Sequence, residues 1–205
     1  TLKRSRYPKS EILVVNNGST DDSAQFLKEN YPEVRVIEIK KNRGYAGANN
    51  LGVKKARGKY VLLLNNDTQV TPNFLEPLVE RIEKDSTVGA IQPQIRLMSN
   101  KNLIDSIGSF FTFTGFLYHY GYSQNQLQKQ YNNPLFMYSV KGACFLTRKS
   151  LIDKIGLFDK SYFAYFEETD FCHRVWLAGF KVKYIPTAQM FHLGGVNKEV
   201  SPIIV

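Results

Sequence analysis

The sequence predicts an α/β protein, a layered fold with a mostly parallel central sheet flanked by helices. Three observations carry this. Strand-like and helix-like stretches alternate from Glu11 to Ile82. The run YVLLLN (Tyr60 to Asn65) is nearly all apolar, as strands covered on both faces are. The apolar runs also stop at chain-turning residues such as Asn17-Gly18 and Tyr31-Pro32.

EILVVN (Glu11 to Asn16) reads as a buried strand. The helix after it is expected to be capped by Ser19 or Thr20, with Asp21 and Asp22 in its first turn and Phe26 and Leu27 on its apolar face. VRVIEI (Val34 to Ile39) is a second strand, and AGANNLGVKKA a glycine-rich helix that Gly58 is placed to end. After YVLLLN, Thr71-Pro72 is expected to cap and start a helix with Phe74, Leu75, Leu78, Val79 and Ile82 on one side.

Residues 92 to 139 are aromatic, rich in Gln and Asn, and weakly periodic, and are expected to form a loop-rich insertion with short strands. Regular elements return with VKGACFLT, the helix RKSLIDKIG, an acidic segment leading a helix through Cys172 to Gly179, and the strands KVKYI and AQMFH. In such sheets ligands bind where strands end at their carboxyl edge. Asn16-Asn17 and Asn65-Asn66-Asp67 fall there.

A chain of 205 residues suits one domain. No run approaches the roughly 18 apolar residues that span a bilayer. The net charge of +9 admits nucleic acid, an anionic membrane or a phosphorylated small substrate as partner. Basic residues crowd at Lys3, Arg4, Arg6 and Lys9 and at Lys40, Lys41 and Arg43. The aromatic run from Phe110 to Tyr122 contains no Lys or Arg, which argues against a nucleic-acid stacking surface and for core packing or a sugar platform. Cys144 and Cys172 have no metal-ligand spacing and fit a reducing, cytosolic compartment. The sequons at Asn17 and Asn66 are then chance matches.

The polar motifs each admit two roles. VVNNGSTDDS can meet a nucleobase, ribose or phosphate, or can be a plain strand-to-helix turn. Asp67 can hold a divalent metal, which needs only one or two protein carboxylates when phosphate and water complete the shell, or can cap its loop. In YFEETDF, Glu167, Glu168 and Asp170 repel one another, so one carboxylate can face a cavity while others take the backbone or Arg174; a simple acidic helix start is the alternative. His192 ends a strand and is either a core residue or a ligand.

Taken in order, VVNNGSTDDS, NRGYAGANNLGVKKARGKYVLLLNND, IDSIG, KGACFLTRKSLIDKIGLFD, YFEETDFCHRVWLAGFKV and IPTAQMFHLGG resemble the family 2 glycosyltransferases, inverting enzymes of GT-A fold, and especially their rhamnosyltransferase-like branch. The resemblance implies a single GT-A domain over 1–205, with a nucleotide-binding half at 1–91 and an acceptor-binding, catalytic half at 92–205. It places donor contacts at Asn16, Gly18, Ser19, Asn42, Gly44, Asn49, Asn65 and Asn66, and Mn²⁺ or Mg²⁺ on Asp67 with His192 completing the site. Glu168 stands where the family holds its base, with Glu167 and Asp170 beside it.

The expected partners are a nucleoside-diphosphate sugar and a glycan or lipid-linked acceptor, with peripheral contact to an anionic membrane at its cytoplasmic face and no nucleic acid. The chain departs from the family pattern at Asn16, Asn65 and Glu168, where aspartates are usual. Family members usually begin with a further strand and helix, so a domain shortened at its N-terminus is expected. A GT-A-like module that binds nucleotide sugar or glycan without turnover is the alternative. A sugar nucleotidyltransferase would share the layers, but its glycine-rich, basic N-terminal loop is not visible.

Overall fold

The computed structural model describes residues 2, 7, 10–194 and 203–204. The basic cluster Lys3, Arg4, Arg6 and Lys9, and Gly195 of the closing motif, lie outside the described residues. The chain runs β1 (Leu13–Asn17), α1 (Ser23–Asn30), β2 (Arg35–Ile39), α2 (Gly44–Lys55), β3 (Tyr60–Asn65), β4 (Thr68–Val70), α3 (Leu75–Lys84), β5 (Val88–Leu97), β6 (Ile104–Ser106), β7 (Ser109–Phe111), β8 (Leu117–His119), β9 (Leu135–Phe136), β10 (Cys144–Arg148), α4 (Lys149–Ile155), α5 (Glu167–Leu177), β11 (Lys181–His192) and β12 (Ile203–Ile204).

The α/β layering is as the sequence predicts, but the sheet is mixed rather than mostly parallel. Its strands lie in the order β2-β1-β12-β3-β10-β5-β11-β4, with β6 added beside β5 and β9 beside β11. β1 pairs parallel to β2 and β5 parallel to β11. β10 enters antiparallel between β3 and β5. Among the described residues, Ile203 and Ile204 alone lie between β1 and β3, antiparallel to both, although those strands have five and six residues.

The core follows the apolar pattern. α3 buries Leu75, Leu78, Val79 and Ile82, and Phe74 just before it is fully enclosed. On the other face Phe145, Phe158 and Phe171 pack together, with ring centroids about 6 Å apart. The aromatic run divides: Phe110 and Tyr120 join the core, while Phe113 and Phe116 stand exposed at the tip of the β7–β8 hairpin.

Several boundaries differ from expectation for local reasons. α1 begins at Ser23, not after Ser19 or Thr20, because β1 continues to Asn17 and the turn at Gly18 (φ +79°) consumes the residues up to Asp22. The Asp21 carboxylate then accepts the Ser23 N–H at 3.1 Å. Phe26 faces solvent instead of the sheet. α2 ends at Lys55, where Ala56 turns extended, before Gly58. Thr71 does not cap α3; its hydroxyl donates to the Gln189 carbonyl at 3.0 Å, tying β4 to β11.

Residues 92 to 97 are core strand, not insertion. Pro93 hides this strand in the sequence, since proline cannot donate to a central ladder. β11 accommodates it by an irregularity between Ile185 and Gln189, immediately beyond the pairing of Ile185 with Pro93. KVKYI and AQMFH thereby become one strand that delivers His192 to the far edge.

α5 is fixed by Arg174. Its guanidinium bonds Asp170 Oδ2 at 2.8 and 3.0 Å and donates to the carbonyls of Ile155, Gly156 and Leu157, closing the α4 exit. An Arg174→Met variant strands these acceptors and the Asp170 charge. The expected loss is about 2–4 kcal/mol in urea unfolding; an unchanged midpoint would show that the clamp is dispensable.

Candidate active site at the strand ends

Polar residues collect where β1, β3 and β11 end. At the β1 exit, Asn16 Oδ1 accepts the Ser19 N–H at 3.1 Å and shapes the turn, and the buried Ser19 hydroxyl has no protein partner. Gly18 is required there: at φ +79° a Cβ would stand 2.8 Å from the Asn42 nitrogen. Asn17, which the sequence placed at this strand exit but not among the donor contacts, joins this turn to the next. Its Nδ2 donates to Asn42 Oδ1 at 3.0 Å and the Gly44 carbonyl at 3.1 Å, and its Oδ1 accepts the Arg43 N–H at 2.9 Å.

Gly44 opens α2 at φ +69°, where a Cβ would come within 2.2 Å of the Phe163 carbonyl. Asn49 lies deeper in α2, fully buried, with Nδ2 on the Tyr45 carbonyl at 2.9 Å and Oδ1 unpartnered. The exposed Lys40, Lys41 and Arg43 flank this turn.

At the β3 exit Asn65 Oδ1 and Asp67 Oδ1 are buried without a hydrogen-bond partner, while Asn66 is exposed and borders a cleft of about 460 Å³ with Val14, Asp21, Asp22, Ser23, Phe26 and Leu27. Asp67 Oδ2 faces His192 Nε2 at 3.3 Å. The other ring nitrogen, Nδ1, meets Asp105 Oδ2 at 2.8 Å, and Lys141 Nζ donates to Asp105 Oδ1 at 2.7 Å. Asp105 and Lys141 sit in the motifs IDSIG and KGACF, yet a lone acid in an apolar strand and a lone lysine before a glycine carry no pairing signal in one sequence.

Burial opposes charge on both His192 and Asp105, but their mutual bonds prevail. His192 is pushed up to about 9 by Asp105 and Asp67 against burial. Against its own burial, Asp105 is held below the ordinary aspartate value by His192 and Lys141.

The acidic segment lies at the start of α5. Tyr165 and Phe166 adopt left-handed φ of 72° and 67°, a rare conformation for residues with side chains, and this turn presents the helix N-terminus. Glu167 is buried, with Oε2 unpartnered; burial and then the neighbouring Glu168 charge push its carboxyl up to about 7. Burial also raises Glu168, opposed by its own N–H, the Gly142 N–H and the Lys141 charge. Tyr45 donates its hydroxyl to the Gly142 carbonyl at 2.5 Å, so α2 and the β10 approach meet beside Glu168. Asp170, by contrast, has its carboxylate in the Arg174 clamp.

The sequence-predicted residues thus form two ends of one polar region, linked by residues the sequence did not mark. Asp67 and His192 form one end, Glu167 and Glu168 the other, and Asp105 with Lys141 stands between them. Among the described residues no three His, Cys, Asp or Glu side chains gather as a metal cluster. The unpartnered Asp67 and Asn65 oxygens and the His192 nitrogen nevertheless fit a hard divalent cation whose remaining ligands are phosphate and water.

Known proteins share this arrangement of elements. The chain is 25% identical over 202 residues to a poly-beta-1,6-N-acetyl-D-glucosamine synthase of Staphylococcus aureus, covering 95% of this chain and 46% of that one. It is 27% identical over 204 residues to an N-acetylglucosaminyl-diphospho-decaprenol L-rhamnosyltransferase of Mycobacterium tuberculosis, covering 88% and 66%. It therefore spans about half to two thirds of the length of these relatives. In fold it superposes on GalNAc-T7, solved with UDP, GalNAc and Mn²⁺, at a TM-score of 0.72 over 88% of this chain and 37% of that one, with 19% identity. The Glycosyl transferase family 2 model matches residues 1–156, and the chain belongs to that family.

Proposed function

We propose that this protein is an inverting, metal-dependent transferase that moves a sugar from a nucleoside-diphosphate donor to a hydroxyl of a growing polysaccharide or lipid-linked glycan. The carrying observation is the pairing of Asp67 with His192 at one end of a polar network whose other end is Glu168. The Mn²⁺ in the GalNAc-T7 structure and the glycan-building names of the relatives support it.

On this reading the turns of Asn16, Gly18 and Ser19 and of Asn42, Gly44 and Asn49 hold the nucleotide, with Asn65 and Asn66 beneath the diphosphate. Lys40, Lys41 and Arg43 draw the anionic donor toward that turn. Asp67 and His192 hold Mn²⁺ or Mg²⁺, which neutralises charge developing on the leaving diphosphate. Glu168 takes the acceptor hydroxyl proton while that oxygen attacks the anomeric carbon from the face opposite the diphosphate. Glu167 serves by holding the proton that two adjacent buried carboxyls would otherwise contest, so that Glu168 is the ionised member. Residues after 92 supply the acceptor side. The protein works at the cytoplasmic face of a membrane, its net charge of +9 suiting contact with anionic lipid; among the described residues no helix is long and apolar enough to cross one.

Calorimetry with UDP, dTDP and GDP, each with and without Mn²⁺, tests the donor site. Binding of one nucleotide that requires Mn²⁺ and is lost in Asp67→Ala is expected, and metal-independent binding would remove the Asp67 assignment. Glu168→Gln should keep that binding and lower kcat by about 10²–10⁴-fold. Equal turnover by the variant would assign the base elsewhere, whereas binding without turnover in both would leave a non-catalytic module.

Glu167 also sets a pH dependence. Its carboxyl rises from 4.5 to about 7 on folding, so its contribution to stability is complete below about 4.5 and is lost as pH rises through 7. Glu167→Gln has no such titration. Relative to wild type its Tm should therefore improve between pH 5 and pH 8, by on the order of 5 °C. A difference in Tm that stays constant across that range would show that the buried carboxyl titrates normally.

A further inference from the structure

We propose that Asp105 is a positioning residue that decides which ring nitrogen of His192 is free to bind the divalent cation. This rests on the reading of Asp67 and His192 as cation ligands. Asp105 lies on β6 with only 2% of its surface exposed, and each carboxylate oxygen has its own partner. Oδ2 lies 2.8 Å from His192 Nδ1, and Oδ1 lies 2.7 Å from Lys141 Nζ.

A carboxylate only accepts hydrogen bonds, so this contact requires a proton on Nδ1. A neutral imidazole carries one proton. Kept on Nδ1, it leaves the Nε2 lone pair directed toward Asp67, 3.3 Å away.

Lys141 makes the arrangement selective. Its ammonium can only donate, so in its contact with residue 105 it takes an oxygen. In Asp105→Asn a single oxygen remains and Lys141 claims it, which turns the amide NH₂ toward Nδ1. Nδ1 must then accept, the ring proton moves to Nε2, and the cation ligand is lost. Replacing Lys141 by Met as well releases the amide to rotate and offer its oxygen to Nδ1. The second substitution should thus repair the first. A merely structural network predicts the opposite, because removing another buried partner adds damage.

The test uses the full chain with whichever of UDP, dTDP and GDP binds best. Mn²⁺ affinity is measured by calorimetry for wild type, D105N, K141M and D105N/K141M. Long-range ¹H–¹⁵N spectra of the Mg²⁺-loaded proteins report the His192 tautomer. The chain has only three histidines, so assignment by substitution of the other two is direct.

D105N is expected to weaken Mn²⁺ binding by about 10–100-fold with the proton on Nε2. K141M should bind more weakly than wild type, because it takes one of the two cations from Asp105, and the double variant should recover most of the D105N loss with the proton back on Nδ1. Wild-type affinity in D105N, or a double variant weaker than D105N, overturns the proposal. If D105N does not fold, the double variant decides: near-wild-type affinity supports the proposal and a full loss overturns it. A wild type that takes up no Mn²⁺ would remove the Asp67–His192 reading and this inference together, whereas a wild type and D105N that bind equally remove this inference alone.

Discussion

A carboxylate as enclosed as Asp105 stays ionised only if cations hold it, and this requirement organises the candidate site. Asp105 comes from β6, His192 from the end of β11 and Lys141 from the approach to β10. None of these elements is adjacent in sequence. Their side chains meet because β5 pairs with β11 along one edge and with β10 and then β6 along the other. The backbone of Lys141 is fixed by the same group: its N–H donates to Gln92 Oε1 at 2.5 Å, while Gln92 Nε2 donates to the Ser106 carbonyl at 3.2 Å. Side chain and main chain of Lys141 are therefore both held to the strands beneath the site.

This arrangement ties the two chemical ends to one another. Gly142 follows Lys141, and its N–H and C=O serve Glu168 and Tyr45 respectively. Movement of this short segment would disturb the His192 ring through Lys141 and Asp105 and the Glu168 carboxylate through Gly142. In an in-line displacement the attacking oxygen and the leaving diphosphate must be placed relative to each other, and positioning of this kind accounts for a large part of catalytic power. On the proposed reading, a segment fixed to both ends would provide it without requiring any single long side chain to span the gap.

Much of the fold was legible because it depends on pattern. β3 and α3 follow directly from an unbroken apolar run and a helical stripe. β5 was hidden by Pro93, which lacks the N–H of a regular ladder, and the pairing irregularity of β11 that adjoins it lies some ninety residues away in the chain. The site shows the same division. Asp67, Glu167 and Glu168 stand out as acids at an element boundary, whereas Asp105 and Asn17 act through partners that only the tertiary fold supplies. The separation of roles within YFEETDF was likewise only half visible. Spacing shows that three acids cannot share one task, but the structure gives Asp170 to Arg174 and leaves the other two desolvated by burial.

Charge balance offers a physical reason for Asn65. Asp67 and Asp105 place two negative charges around His192, and in the absence of metal the protonated ring and Lys141 offset both. On the proposed reading the cation displaces the Nε2 proton, so one positive charge on the ring is exchanged for two on the ion. The incoming diphosphate brings the additional negative charge that the ion requires. A carboxylate at position 65 would add another negative charge at the β3 exit that the His192 and Lys141 charges, already matched to Asp67 and Asp105, do not offset. The asparagine instead contributes a neutral oxygen, which is buried and has no protein hydrogen-bond partner. A site built this way is close to neutral before the donor arrives, and its charge changes in step with the ligand that enters.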